Sequence, residues 1–203
     1  MEEKELHDKP LNEKESLDLI TRMIQNTQKK LEQGAGAPML IWGYATIVTA
    51  IAVWIALRMT LDYHFNYLWF MIPVIGITCM LFRKRQPKGV RTFLDNVIAY
   101  IWIVLGVTGF MLSMLSMFSI MWNFPILFII IIIMGMGTVL TGLVIDFKAM
   151  VIGGIVGLLI SVSHYLISGI DAKILTFILA FTAMYIIPGH ILNYRAKRAC
   201  LKN

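Results

Sequence analysis

Six apolar stretches, each close to the length that crosses a bilayer, leave this chain few architectures. They span residues 38–57, 66–82, 97–121, 124–145, 150–170 and 174–194, and none contains Asp, Glu, Lys or Arg. A helix rising ~1.5 Å per residue needs ~20 residues to cover ~30 Å of hydrocarbon. The expected fold class is therefore all-α: a polytopic membrane protein of six transmembrane helices, preceded by an N-terminal cytoplasmic amphipathic helix. Only 15% of residues are charged and the mean hydropathy is +0.75, against about 25% charged in soluble domains.

The third and fourth stretches form one uncharged block, too long for a single helix, with a break expected at Trp122-Asn123-Phe124-Pro125. Pro125 suits a first helical turn, where its missing N–H has no intrahelical partner to lose. The second stretch is the shortest and carries Pro73.

Orientation follows from the basic residues. With the amino terminus inside, the cytoplasmic connections hold 16 Lys and Arg, and the outer side receives only Arg58 and Lys173. That asymmetry places both termini in the cytoplasm. The same clustering beside apolar segments explains the net charge of +6 as topological, so no nucleic-acid partner is expected. The basic loop from Arg83 to Arg91 would face anionic lipid headgroups. Trp42, Trp69 and Trp122 fall near span ends, where interfacial indoles gather. Cys79 and Cys200 both lie on the reducing side, and no disulfide is implied.

The domain layout is thus a cytoplasmic segment 1–37, a bundle 38–194 and a basic tail 195–203. Within the first segment, Asn12 followed by Glu15 resembles a capping box opening a helix over 13–33. Gly34 is expected to stop it, and Ala35-Gly36-Ala37-Pro38 to form a hinge. Leu17, Ile20, Ile24, Thr27 and Leu31 recur at spacings of 3-4-3-4, a heptad-like stripe on a cylinder of mixed charge. Leu17, Ile20, Ile24 and Leu31 are the candidate docking residues, for a cytoplasmic protein partner or for self-association.

Apolar side chains gain little by leaving lipid for one another, so membrane helices associate through small residues. Such stripes are present: Gly43, Thr46, Ala50; Gly106, Gly109, Ser113, Ser116; Gly135, Thr138, Gly142; Gly153, Gly157, Ser161, His164, Ser168; and Thr176, Ala180, Ala183. The fifth span carries the longest and most polar of them. Ser161, His164 and Ser168 form its candidate polar face, read either as packing with a histidine hydrogen-bonded to its i−3 and i+4 serines, or as the lining of a narrow cavity. His190, beyond Pro188-Gly189, lies ~15 Å from His164 in depth, so the two cannot share a metal.

No catalytic, cofactor or metal motif is readable: Gly-x-x-x-x-Gly-Lys-Ser/Thr, Gly-x-Gly-x-x-Gly, His-Glu-x-x-His and Gly-x-Ser-x-Gly are all missing. No enzyme activity and no cofactor are expected. Driven transporters usually keep a charge near mid-membrane, and here every acid and base sits at a span end.

The stretch Glu15-Ser-Leu-Asp-Leu-Ile-Thr-Arg-Met-Ile-Gln-Asn-Thr-Gln28, with Gly34-Ala-Gly36 and Leu40-Ile-Trp-Gly-Tyr44, resembles a family of small uncharacterised membrane proteins from the Bacteroidetes. The match is most specific over 13–54 and is one of hydropathy thereafter. It implies a bacterial inner-membrane protein with a cytoplasmic helix, and carries over no functional residues. The expected function is a non-enzymatic anchor, sensor or regulatory partner acting through that helix, with membrane lipids around the bundle. The alternative is a small permease or channel component for a neutral or hydrophobic solute.

Overall fold

A computed structural model describes residues 12–60, 62–82, 93–117 and 125–200. The basic loop, the first part of the break at Trp122 and the last three residues of the tail lie outside the described residues, as does the side chain of Leu31. Among the described residues the regular structure is all helical: α1 (Glu13–Thr60), a 3-10 segment (Tyr63–Phe70) leading into α2 (Met71–Phe82), α3 (Phe93–Met117), α4 (Ile126–Ile145), α5 (Lys148–Leu166), α6 (Ile170–Phe181), a π segment (Thr182–Ile186) and α7 (Ile187–Cys200). These make six helical stretches long and apolar enough to cross a membrane, from Gly34–Thr60 to Ile170–Arg198.

Helix α1 departs from the sequence expectation. It runs unbroken for 48 residues, with Pro38 inside it, where a stop at Gly34 and a hinge were expected. Proline removes one i→i−4 hydrogen bond and crowds the carbonyl four residues back, but packing on α7 opposes this break. A Cβ on Gly36 would lie 2.6 Å from Asn193 Oδ1 and 3.1 Å from the Gly189 carbonyl oxygen, so the run of small residues is an interhelical seam. At about 1.5 Å per residue α1 is ~72 Å long.

The turn after α5 departs from the sequence expectation as well. The helix ends at Leu166; Ile167 is extended, and Gly169 adopts φ 98°, a conformation other residues avoid. Ser168 therefore falls in the link and not on the helix that carries His164, and α6 begins at Ile170, earlier than expected.

Pro188 also leaves a mark. A regular α-helix would press its ring against the Met184 carbonyl. The turn before it widens into the π segment instead, with Ile187 N–H donating to the Thr182 carbonyl. The helix bulges and continues, which is how membrane helices commonly absorb proline.

Helix α4 packs closely on α5, the chain turning between them through Asp146 in the left-handed region at φ 59°. α1 lies against α7, α6 and the π segment; α5 packs on α4, α6 and the π segment. These elements share a core of Ile131, Phe147, Met150, Phe177, Ala180 and Met184. α2 packs on α1, and α3 on α4, at the periphery: only 6% of their most apolar windows is buried, against 44% for α4 and for the last stretch. Trp42 and Trp69 serve as packing partners, Trp42 against Gly76 and Trp69 edge-on to Phe177 at 5.2 Å between ring centroids.

Candidate functional site

The polar face expected on α5 does not assemble as such. His164 and Ser161 are buried, while Ser168 is exposed in the link. His164 Nδ1 lies 2.9 Å from Thr176 Oγ1, one helix further on, and not against either serine. Thr176 Oγ1 is also 2.8 Å from the Ala172 carbonyl oxygen. A hydroxyl has one proton, so when Thr176 donates it to that carbonyl, the ring must donate from Nδ1. Ser161 donates to the Leu158 carbonyl at 2.6 Å. With its proton spent there and no base bonded to it, Ser161 has none of the activation a serine nucleophile needs.

Around this face the stripe is filled with side chains. A Cβ on Gly157 would stand 2.4 Å from the Met184 side chain, and one on Gly153 would stand 2.5 Å from the Ala183 carbonyl oxygen. Gly154 meets Val139 and the Gly135 carbonyl in the same manner. The buried hydroxyls of Thr46, Thr138 and Thr141 each donate to the carbonyl four residues back. Thr49 Oγ1, also buried, has no hydrogen-bond partner. The interior polar groups are therefore scattered along separate helices among apolar contacts. Among the described residues they form no continuous polar track.

Two polar contacts tie α1 to the last stretch, one toward each end. Asp171 accepts from the Trp54 indole N–H at 2.8 Å and from Arg58 Nε–H at 2.9 Å, while its second carboxylate oxygen pairs with the other guanidinium arm. This bidentate geometry matches guanidinium to carboxylate. Nearer the other end, Tyr44 Oη lies 2.9 Å from His190 Nε2. In the sequence Arg58 and Asp171 stand out only as charges at span ends. Their opposite signs at the same expected level were the signal that could have paired them; nothing local marks Tyr44 with His190. Arg195 lies over the Phe147 ring at 5.0 Å, a cation–π contact closing the α4–α5 turn against α7.

The candidate docking residues lie on the free part of α1. Leu17, Ile20 and Ile24 are 65%, 52% and 49% exposed. Thr21 and Thr27 donate back to the Leu17 and Met23 carbonyls, and Asp18 pairs with Arg22 at 2.8 Å within the same helix. Asn12 N–H donates to Glu15 Oε2 at 3.1 Å, the backward half of the expected capping box.

Among the described residues no three His, Cys, Asp or Glu side chains stand close enough to hold a metal ion. Comparison with protein-family models, with curated proteins and with solved structures finds no match for this chain.

Proposed function

We propose that this is a non-enzymatic multi-pass membrane protein of a bacterial inner membrane, with both termini cytoplasmic, that acts through the free portion of α1. The six-helix bundle anchors it, and the stripe of Leu17, Ile20 and Ile24 docks another polypeptide. The observation that carries this reading is the continuity of α1. An amphipathic helix on a flexible hinge settles on the membrane surface. One that prolongs a transmembrane span without a joint is held away from that surface, and its apolar stripe must find protein.

The mixed charge around the stripe, with Glu15 and Asp18 beside Lys14 and Arg22, suits water and protein better than an anionic lipid surface. The permease alternative has less support. Ser161, His164 and Ser168 do not share one face, and Gly153, Gly154 and Gly157 are occupied by neighbouring atoms where a path would need room.

The test is Ile20→Asp combined with Ile24→Asp. Insertion and detergent stability of the bundle should be unchanged, while a cross-linked species formed by the wild type in cells should vanish. Loss of membrane insertion, or binding of anionic vesicles by residues 13–33, would contradict this reading.

A further inference from the structure

The free part of α1 shows what kind of chain it would pair with. Written in heptads, Leu17, Ile24 and Leu31 occupy a and Ile20 and Thr27 occupy d. The flanking e and g positions are then Lys14, Ser16, Thr21, Met23, Gln28 and Lys30, charged only at the two ends. Glu15, Arg22 and Lys29 fall at f, and Asp18 and Glu32 at b, on the outer face. Asp18 and Arg22 already neutralise each other there. Lys30 stands at g, and in a parallel pair it would face position 35 of the other helix, an alanine. A second copy laid in register along this stripe therefore meets apolar side chains and Thr27 at its centre, and no charge at its flanks between Ser16 and Gln28.

The bundle fixes the direction of that pairing. Copies inserted in one orientation project α1 from the same face of the membrane, so two such helices meet only in parallel. A two-fold axis along the membrane normal brings the same patch of each copy together. The bundle limits how far the pair can run. On an ideal helix Trp42, Thr49 and Val53, which are packed within the chain's own bundle, lie below the stripe on nearly the same azimuth, so two copies can meet only above the bundle and must diverge where they enter it.

We infer that the occupant of the stripe is the α1 extension of a second copy of this chain, forming a short parallel coiled coil above the bundle. This rests on the reading that the extension docks protein, and names the partner. About two heptads with Thr27 at a core position make a weak coil in water. Confinement in the same membrane raises the effective concentration of the partner and allows pairing without a long zipper. The association should be reversible.

The experiment uses the full chain in native membranes, with Cys79 and Cys200 replaced by serine and single cysteines placed along α1. Oxidation should give covalent homodimer from Leu17→Cys, Ile20→Cys and Ile24→Cys at least about fivefold more than from Glu15→Cys, Arg22→Cys and Lys29→Cys, the periodicity of a coiled coil. Equal yields at both sets, or no dimer at the first, would overturn self-pairing. A photo-reactive residue at Ile20 separates the two failures. If it traps a different polypeptide, the second-copy assignment falls while docking stands; if it traps only lipid or nothing, both fall. Thermal stability of each variant in detergent, expected to match the parent, confirms that a lost cross-link reports on the stripe and not on the bundle.

Discussion

Replacing Gly153 by alanine puts the packing of α5 on the last helix to a quantitative test. The added Cβ would stand 2.5 Å from the Ala183 carbonyl oxygen and 3.0 Å from Pro188 Cγ, and neither atom is the end of a flexible side chain. Pro188 has no N–H to offer that carbonyl in the π register, and the carbonyl faces the bare Gly153 backbone. Alanine gains about 1 kcal/mol over glycine in helix propensity, while overpacking a fitted interface costs about 1–3 kcal/mol. The contact is backbone against backbone, so the cost should lie at the upper end and the net effect should be a loss of about 1–2 kcal/mol. Gly106→Ala supplies the control, because nothing lies within 4 Å of its added Cβ and only the propensity term remains. Gly157→Ala should fall between the two, since the Met184 side chain it meets can change rotamer. Unfolding of the three variants in one detergent should rank Gly106→Ala most stable, then Gly157→Ala, then Gly153→Ala. If Gly153→Ala matched Gly106→Ala, the close approach of α5 to the π segment would be wrong.

Charge reversal at the α1–α6 contact, Arg58→Asp or Asp171→Arg, should lower the melting temperature in detergent, and the double reversal should recover part of the loss; no recovery would show that the contact does not form. His164→Ala should cost about 1 kcal/mol, the scale of a hydrogen bond between membrane helices, and an equal loss in Thr176→Val with no further loss in the double variant would confirm that they act as a pair. A single cysteine at Lys88 or Lys202 should label only from the cytoplasmic side and one at Asn66 or Asn123 only from outside; external labelling at Lys88 would refute the proposed orientation. Asp62 accepts from the His64 backbone N–H and then from its ring, and these bonds hold its carboxyl below the ordinary carboxylate range. Its contribution to the turn after α1 is therefore fully present above pH ~4 and is lost as the pH falls through the depressed value, so the protection of the His64 amide, taken against its intrinsic exchange rate at each pH, should fall in acid, and Asp62→Asn should flatten that dependence.

The helical spans were legible because crossing length and freedom from charge are properties of one segment at a time. What escaped were features that depend on a second segment. Pro38 after Gly34-Ala-Gly-Ala reads as a break by every local rule, and only the presence of Asn193 and Gly189 alongside turns those small residues into a seam. The serines three and four residues from His164 were the natural partners within one helix. The chain leaves the helix at Ile167, before Ser168, and supplies Thr176 from the next one. The glycine stripe of α3 illustrates the opposite error: Gly109 is buried but Gly106 faces open space, so small residues at helical spacing did not by themselves locate a contact. The exposed stripe of Leu17, Ile20 and Ile24 could be read from periodicity, whereas its unbroken continuation into the first span could not.

The unjointed α1 is also a lever. Leu17 stands 26 residues from Gly43, where α1 rests on Tyr185 and Ile186, a distance of ~39 Å along the axis. A tilt of about 10° around that fulcrum would sweep Leu17 sideways by ~7 Å, more than the pitch of one helical turn. A rotation of the span about its own axis would arrive at the tip undiminished, turning the apolar stripe toward or away from a neighbour. The tilt of spanning helices follows bilayer thickness, and in a membrane a shaft of this kind would carry such a change to its tip.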